Sequence, residues 1–213
     1  VKSGYFITFE GGEGGGKSTQ VRRLADRLGR LGVDVIATRE PGGSPGAEAL
    51  RALLVKGDRD AWSPLAETLL LYAARADHLD QTIRPALARG AVVLCDRFAD
   101  STRAYQGAAG GVDPAFIQTL EATVVGATRP HLTLILDLPA EEGLRRAGRR
   151  GGEETRFESK GAPFHDRLRQ GFLAIAKAEP QRCVVIDAAA PADGVEGQVW
   201  AAVAPRLGLE AAT

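Results

Sequence analysis

Gly11, Gly12, Glu13, Gly14, Gly15, Gly16, Lys17 and Ser18 spell G-x-x-x-x-G-K-S and run into Thr19, directly after the apolar stretch Tyr5–Phe9. Such a loop between a strand and a helix wraps a polyphosphate. Its glycines let backbone N–H groups converge on the phosphate oxygens, and the helix that follows points the positive end of its dipole at them. Lys17 is then expected to reach the β and γ oxygens, and Ser18 to help hold Mg²⁺.

A phosphate loop alone does not choose a reaction, because GTPases, motor ATPases and small-molecule kinases all use one. A guanine-reading Asn-Lys-x-Asp is absent, and Asp137-Leu138-Pro139-Ala140 follows the fourth apolar run instead. What the chain does carry is arginine on segments expected to converge on the same strand ends: Arg39, Arg51, Arg75, Arg97 and Arg103. Phosphoryl transfer between two nucleotides must hold two polyanions together, and guanidinium groups on both sides serve that need. Asp96-Arg97 lies at the end of the run Ala91–Cys95. There an acid can orient a magnesium shell through water and an arginine can fork onto an acceptor phosphate, although a surface ion pair has the same sequence. Tyr72 and Leu71 lie three and four residues before Arg75, so they can share a helix face with it, either as a base pocket or as packing beside a surface arginine.

These residues need a scaffold, and the chain has one legible in its periodicity. Five short β-branched runs, at 5–9, 33–38, 91–95, 132–137 and 183–187, alternate with longer helical stretches, which predicts a parallel sheet covered by helices on both faces. Val21, Leu24 and Leu28 line one face of the helix after the loop, which Gly32 ends. Residues 64–89 read as the longest helix, opened by Ser63-Pro64 and closed by Gly90. Two segments break the alternation. Arg39–Gly46 is too rich in Gly and Pro for regular structure and begins where the second strand ends, the side on which open α/β sheets bind ligands. Arg145–Arg156 is dense in arginine and glycine between helical stretches and reads as a hinged basic flap, or as a solvated charged loop.

The 213 residues, 44% hydrophobic and 25% charged, suit a single domain spanning 1–213. Lys+Arg and Asp+Glu are equal at 27 each, which argues against a field that holds a nucleic acid polymer and favours small anions as partners. No apolar run is long enough to cross a bilayer, and no charged-then-apolar leader precedes the first strand, so the expectation is an untargeted cytoplasmic protein with no membrane partner. Cys95 and Cys183 sit in apolar runs and read as buried free thiols of a reducing compartment. His78, His131 and His165 lack metal-type spacing and read, like Trp62 and Trp200, as packing residues.

Taken together, Gly11–Thr19, Thr38-Arg39-Glu40-Pro41-Gly42-Gly43, Tyr72-Ala73-Ala74-Arg75, Asp96-Arg97-Phe98, Ser101 and Ala104-Tyr105-Gln106-Gly107 resemble the thymidylate kinases in order and spacing over most of the chain. That resemblance implies a P-loop NTPase fold of the α/β class, with a five-stranded parallel sheet, helices on both faces and a short lid at about 147–160. It also implies transfer from ATP to dTMP with Mg²⁺, giving dTDP for dTTP synthesis. The implied cofactor site is Gly11–Thr19, with Ser18 and Asp96 toward the metal; the implied catalytic set is Glu13, Lys17, Arg97 and Arg149. For the acceptor it implies Arg97 and Arg51 on the phosphate and Arg75 on a thymine carbonyl. Thr102 falls near the base N3 edge, Tyr105 against C2′, Glu13 facing the 3′-hydroxyl, and Leu71 and Gln106 in the same substrate set. The family's bacterial type with catalytic arginines in the lid is the one implied, because Glu13-Gly14-Gly15 offers no base: Arg149 comes first, with Arg145, Arg150 and Arg156 behind it. Adenine is expected around 188–190, and a homodimer is expected to form partly through the 64–89 helix. Leu71 stands where the family usually has a stacking Phe, which predicts weaker acceptor binding unless Tyr72 or Phe98 supplies a ring. The alternatives are a P-loop kinase for another nucleoside monophosphate, or a non-catalytic nucleotide-binding module.

Overall fold

The computed structural model describes residues 4–56, 58, 61–150 and 156–209, with the side chains of Arg150 and Glu158 outside that description. Five parallel strands, β1 (Tyr5–Glu10), β2 (Val35–Arg39), β3 (Val92–Asp96), β4 (Leu132–Asp137) and β5 (Cys183–Asp187), form one sheet in the order β2-β3-β1-β4-β5. The four pairings are all parallel, with Phe9 opposite Asp96 and Arg39 opposite Asp96, so the loop after β1 and the acid ending β3 lie side by side at the carboxyl edge. The strands match the predicted runs to within two residues, and β2 ends at Arg39, so its Gly-Pro-rich loop also leaves from that edge.

Alternation in β1 divides the core. Ile7 and Phe9 pack with Val21, Leu24 and Leu28 of α1 (Lys17–Arg30), whereas Phe6 packs on the opposite face with Val93, Leu79 and Ile83. Thr8 and Glu10 share the second face, which carries a glutamate into the interior at the strand's end. Helix α1 ends where Gly32 takes φ 75°, as its position predicts.

Helix α2 (Pro45–Val55) follows the β2 loop, and α3 (Pro64–His78) is capped by Ser63, whose hydroxyl accepts from the Ala66 N–H. The expected single helix over 64–89 is continuous but not uniform: Leu79–Ile83 has π geometry before α4 (Arg84–Ala88) resumes. A second π segment, Arg103–Ala109, follows the short α5 (Ala99–Thr102); wide turns of this kind gather at functional sites. Then come α6 (Pro114–Val124), α7 (Ala140–Arg150), α8 (Ala162–Ala178) and α9 (Ala192–Val203). Among the described residues no helix is long and apolar enough to cross a membrane.

Candidate active site

The loop after β1 owes its shape to two close backbone approaches. Gly11 has φ 125°, and a Cβ there would lie 2.4 Å from the Leu136 carbonyl oxygen. Gly14 has φ 68°, and its Cβ would lie 2.2 Å from the carbonyl oxygen of Gly143 in α7. Only glycine fits either position. Lys17 is buried, and its Nζ donates to the carbonyls of Gly11 (3.2 Å) and Gly12 (2.6 Å). Burial, then Arg97, lowers its pKa to about 8 against the opposing pull of Glu13, Asp96 and Glu10.

At the neighbouring strand end the Ser18 hydroxyl donates to the Asp96 carboxylate. These hard oxygen donors fit Mg²⁺, which takes one or two protein oxygens and completes its shell with phosphate and water. Among the described residues no group of three or more His, Cys, Asp and Glu is arranged to hold a metal.

Arg97 has φ 69°, a left-handed conformation unusual for a long side chain. Glu10 holds it there. Its Oε1 accepts the Phe98 N–H at 2.8 Å and its Oε2 accepts the Ser101 hydroxyl at 2.6 Å, fixing the turn on the far side of Arg97. Arg97 then donates to the Gly11 carbonyl (2.9 Å), to Ser101 Oγ (3.3 Å) and to Glu13 Oε1 (3.0 Å), and it lies 4.9 Å from the Tyr105 ring centroid. The Tyr105 hydroxyl donates to the same Glu13 oxygen at 2.6 Å. Burial alone would raise the Glu13 pKa, but Arg97, Lys17 and the Tyr105 hydrogen bond outweigh it and hold the carboxyl at about 2.

A crevice of about 540 Å³ runs from Glu13–Thr19 past this pair to Arg51, Leu71, Arg75, Phe98, Thr102 and Gln106. Arg75 is buried, with its Nε on Glu40 (2.8 Å) and its Nη2 on the Phe98 carbonyl (3.0 Å) and Thr102 Oγ1 (3.2 Å). Its Nη1 has no hydrogen-bond partner, and neither does Gln106 Oε1. Both residues line the crevice, so a donor and an acceptor without partners lie in the walls of one cavity.

The crevice therefore gathers Glu13–Thr19 of the phosphate loop and every predicted substrate residue, while Gly11 and Gly12 lie outside its lining. The lid arginines are not gathered with them. Arg145 forks onto Glu142 through two 2.7 Å hydrogen bonds on the surface, Arg149 is exposed, and Arg150's side chain lies outside the described residues. Arg156 departs from the expectation of a swinging lid arginine. It is buried, donates to the carbonyls of Leu54 (3.1 Å) and Asp58 (3.2 Å), and lies 2.5 Å from Glu67. Arg103 also points elsewhere: the π segment turns it to Asp100 (3.0 Å) and Glu179 (2.6 Å), which neutralise it outside the crevice. Of the two rings proposed to compensate for Leu71, Phe98 lines the crevice and Tyr72 is packed behind Arg75. Two of the histidines have hydrogen-bond partners, His78 with Glu40 and Thr38 and His131 Nδ1 accepting the Phe6 N–H, whereas the buried His165 Nε2 has none.

Sequence patterns missed Glu10, Glu40, Glu67, Gly143 and Phe157. Period-2 alternation in β1 does put Glu10 on the inward face with Phe6 and Thr8, a signal that was available. Glu40 lies inside the Thr38–Gly43 motif but had no role assigned to it, and Glu67 gave no signal because its partners come from distant elements.

The thymidylate kinase family model matches residues 9–199. The chain belongs to the thymidylate kinase family. A thymidylate kinase of Caulobacter vibrioides is 66% identical over 209 residues, covering 98% of this chain and 100% of that one. One from Bradyrhizobium diazoefficiens is 54% identical over 206 residues, covering 96% and 90%. The crystal structure of the Ehrlichia chaffeensis thymidylate kinase superposes with a TM-score of 0.78 at 35% identity, covering 94% of this chain and 99% of that one. The sheet and loop described above are thus the P-loop NTPase fold of a nucleoside monophosphate kinase, as the motif order implied.

Proposed function

We propose that this kinase transfers the γ-phosphoryl group of ATP to dTMP, yielding dTDP and ADP. The observation that carries the reading is a single crevice in which the phosphate loop and the side chains of Arg75, Thr102 and Gln106 are joined by the Arg97–Glu13 pair. Glu13–Thr19 and Lys17 bind the donor phosphates, and Ser18 and Asp96 hold Mg²⁺, which when bound neutralises charge on the transferred group. Arg97 and Arg51 bind the acceptor phosphate, whose oxygen attacks the γ phosphorus in line as the bridge to the β-phosphate breaks. Arg75 Nη1 donates to a base carbonyl, and Thr102 and Gln106 read the N3 edge. Leu71 and Phe98 cover the ring faces. Tyr105, held against Glu13, stands at C2′ and leaves no room for a ribose hydroxyl. Glu13 faces the 3′-hydroxyl.

One domain over 1–213, with a lid at about 147–160, completes the reading. Lid closure excludes water, so that the phosphoryl group reaches the nucleotide rather than solvent, and Arg149 supplies the cation for the transferred group. Arg146, which donates to the Ala188 carbonyl at 3.0 Å, ties α7 to the loop proposed to carry adenine. We place the enzyme in the cytoplasm, in keeping with Cys95 and Cys183 as buried free thiols, and we propose a homodimer through α3. Leu65 and Leu69, 50% and 47% exposed, flank a mostly apolar groove with Val112 and Phe116; sedimentation at twice the mass of one chain checks this.

The decisive assay is ADP release with ATP, Mg²⁺ and a panel of acceptors. dTMP is expected to lead UMP, AMP and dCMP by at least about tenfold in kcat/KM, a discrimination within reach of buried polar readout. A lead by AMP or UMP, or ADP release independent of acceptor, overturns the assignment.

A further inference from the structure

Three polar side chains from separate parts of the chain meet behind the base recess: Glu67 on α3, Gln106 in the π segment and Arg156 at the return from the lid, each 2% exposed. Gln106 Nε2 donates to Glu67 Oε1 at 2.6 Å, and Arg156 Nη1 lies 2.5 Å from Glu67 Oε2 as a close ion pair. None of the three is explained by packing alone, since burying polar groups is costly unless each is matched.

The chemistry of Glu67 dictates which end of the Gln106 amide meets it. A carboxylate paired with a guanidinium has no proton to give, so it can only receive the amide NH₂. The Gln106 carbonyl oxygen is thereby turned away from Glu67, and it is the buried oxygen that lacks a partner in a residue lining the crevice. Arg75, which lines the same crevice, carries an open donor at Nη1. An acceptor and a donor in the walls of one recess complement a pyrimidine edge that offers an N3–H next to a 4-carbonyl. The cytosine edge offers an N3 lone pair next to an amino group, which sets lone pair against lone pair and N–H against N–H.

We infer that Glu67 is a specificity-positioning residue: by accepting from Gln106 it locks the amide in the orientation that admits an imide-edged base and rejects a cytosine-edged one, and Arg156 holds Glu67 in place. The inference rests on the assignment of the recess to the acceptor base. It extends that assignment to a residue that has no place in the crevice lining and ties base selection to the lid's stem.

Glu67→Gln tests it, because a neutral amide at 67 can give or receive and so frees Gln106 to turn. The ratio of kcat/KM for dTMP to that for dCMP is expected to fall at least tenfold, mostly through the dTMP KM, with the KM for ATP within twofold of wild type. A merely structural role would lower both acceptors together and leave the ratio intact. Since Glu67→Gln leaves Arg156 buried and unpaired, which can unfold the protein, the double variant E67Q/R156Q is measured alongside it and is expected to narrow the ratio equally. A ratio within twofold of wild type in either folded variant overturns the role of Glu67. A wild-type enzyme that does not favour dTMP would instead overturn the base-recess assignment itself, so the two failures are distinct.

Discussion

Glu10 makes a quantitative claim on the pH dependence of stability. Its carboxyl is fully buried, and burial first, then the neighbouring Asp100, drives its pKa from 4.5 up to about 8, despite the Ser101 hydrogen bond, Arg97 and the Phe98 N–H. A carboxyl that holds its proton more tightly in the folded chain stabilises that state below the unfolded value of 4.5 and loses the contribution as pH rises through 8. At roughly 1.4 kcal/mol per unit the upper bound of this loss is on the order of 5 kcal/mol, and electrostatic coupling of Glu10 to its neighbours reduces it. Lys17 acts in the opposite sense: its pKa is lowered to about 8, so its cost persists below that pH and is relieved between 8 and 10.5. Glu13, held at about 2, adds stability above 4.5 that is lost as pH falls through 2. These three groups therefore give nucleotide-free protein a maximum near pH 4.5 and a minimum near pH 8. Urea unfolding at fixed ionic strength from pH 4.5 to 9.5, on wild type and Glu10→Gln, isolates the first term. The substitution keeps an acceptor for the Phe98 N–H and removes the titrating proton, so the variant should lose the downward slope and gain on wild type by a few kcal/mol, on the order of the bound above, between pH 5 and 9. Parallel curves for the two proteins would refute the reasoning.

Arg97→Ala should lower kcat/KM for dTMP by at least about 100-fold, since a forked guanidinium–phosphate contact is among the strongest hydrogen-bond pairs; turnover at the wild-type level would remove Arg97 from the site. Gly143→Ala should raise the KM for ATP and lower the unfolding midpoint, although Ala in a helix ordinarily outperforms Gly by about 1 kcal/mol, because its Cβ would lie 2.4 Å from the Glu13 carbonyl oxygen. A more stable variant with unchanged ATP binding would mean that the loop and α7 are not clasped. Arg149→Ala should cut kcat by about 10³-fold at unchanged midpoint if it stabilises charge in the transferred group, and single-turnover kinetics would expose an unaffected chemical step. Leu71→Phe should lower the dTMP KM by roughly twofold to tenfold through an added ring contact of about 0.5–1.5 kcal/mol; an unchanged KM would assign the stacking to Phe98.

What could be read from the chain beforehand divides along the range of the interactions. The strands, α1 and the phosphate loop are written in periods of two and 3.6 and in glycines next to one lysine, all within short windows, and β1, β3, β4 and β5 fall at the expected places. Lys17, Arg75 and Arg97 were recognisable because each sits in a local motif at a strand end or on a helix face. The charges that orient them were not. Glu40 meets Arg75 across 35 residues, and Glu10 meets Phe98 across 88. No window holds both partners, and a buried glutamate has the same letter as a solvated one. The π segment at Arg103–Ala109 is the case in between. An α-helical register would put Tyr105 and Gln106 about 100° apart with no assigned targets, whereas the observed turn sends one to Glu13 and its neighbour to Glu67. It also withdraws Arg103 from the crevice, against expectation, and hands it to Asp100 and Glu179. One wide turn thus decides which of four consecutive side chains line the crevice and which brace the fold. Restoring α geometry there, by deleting Ala108 for instance, should disable acceptor binding while sparing the donor loop; retention of dTMP affinity would show that Tyr105 and Gln106 do not depend on the π register.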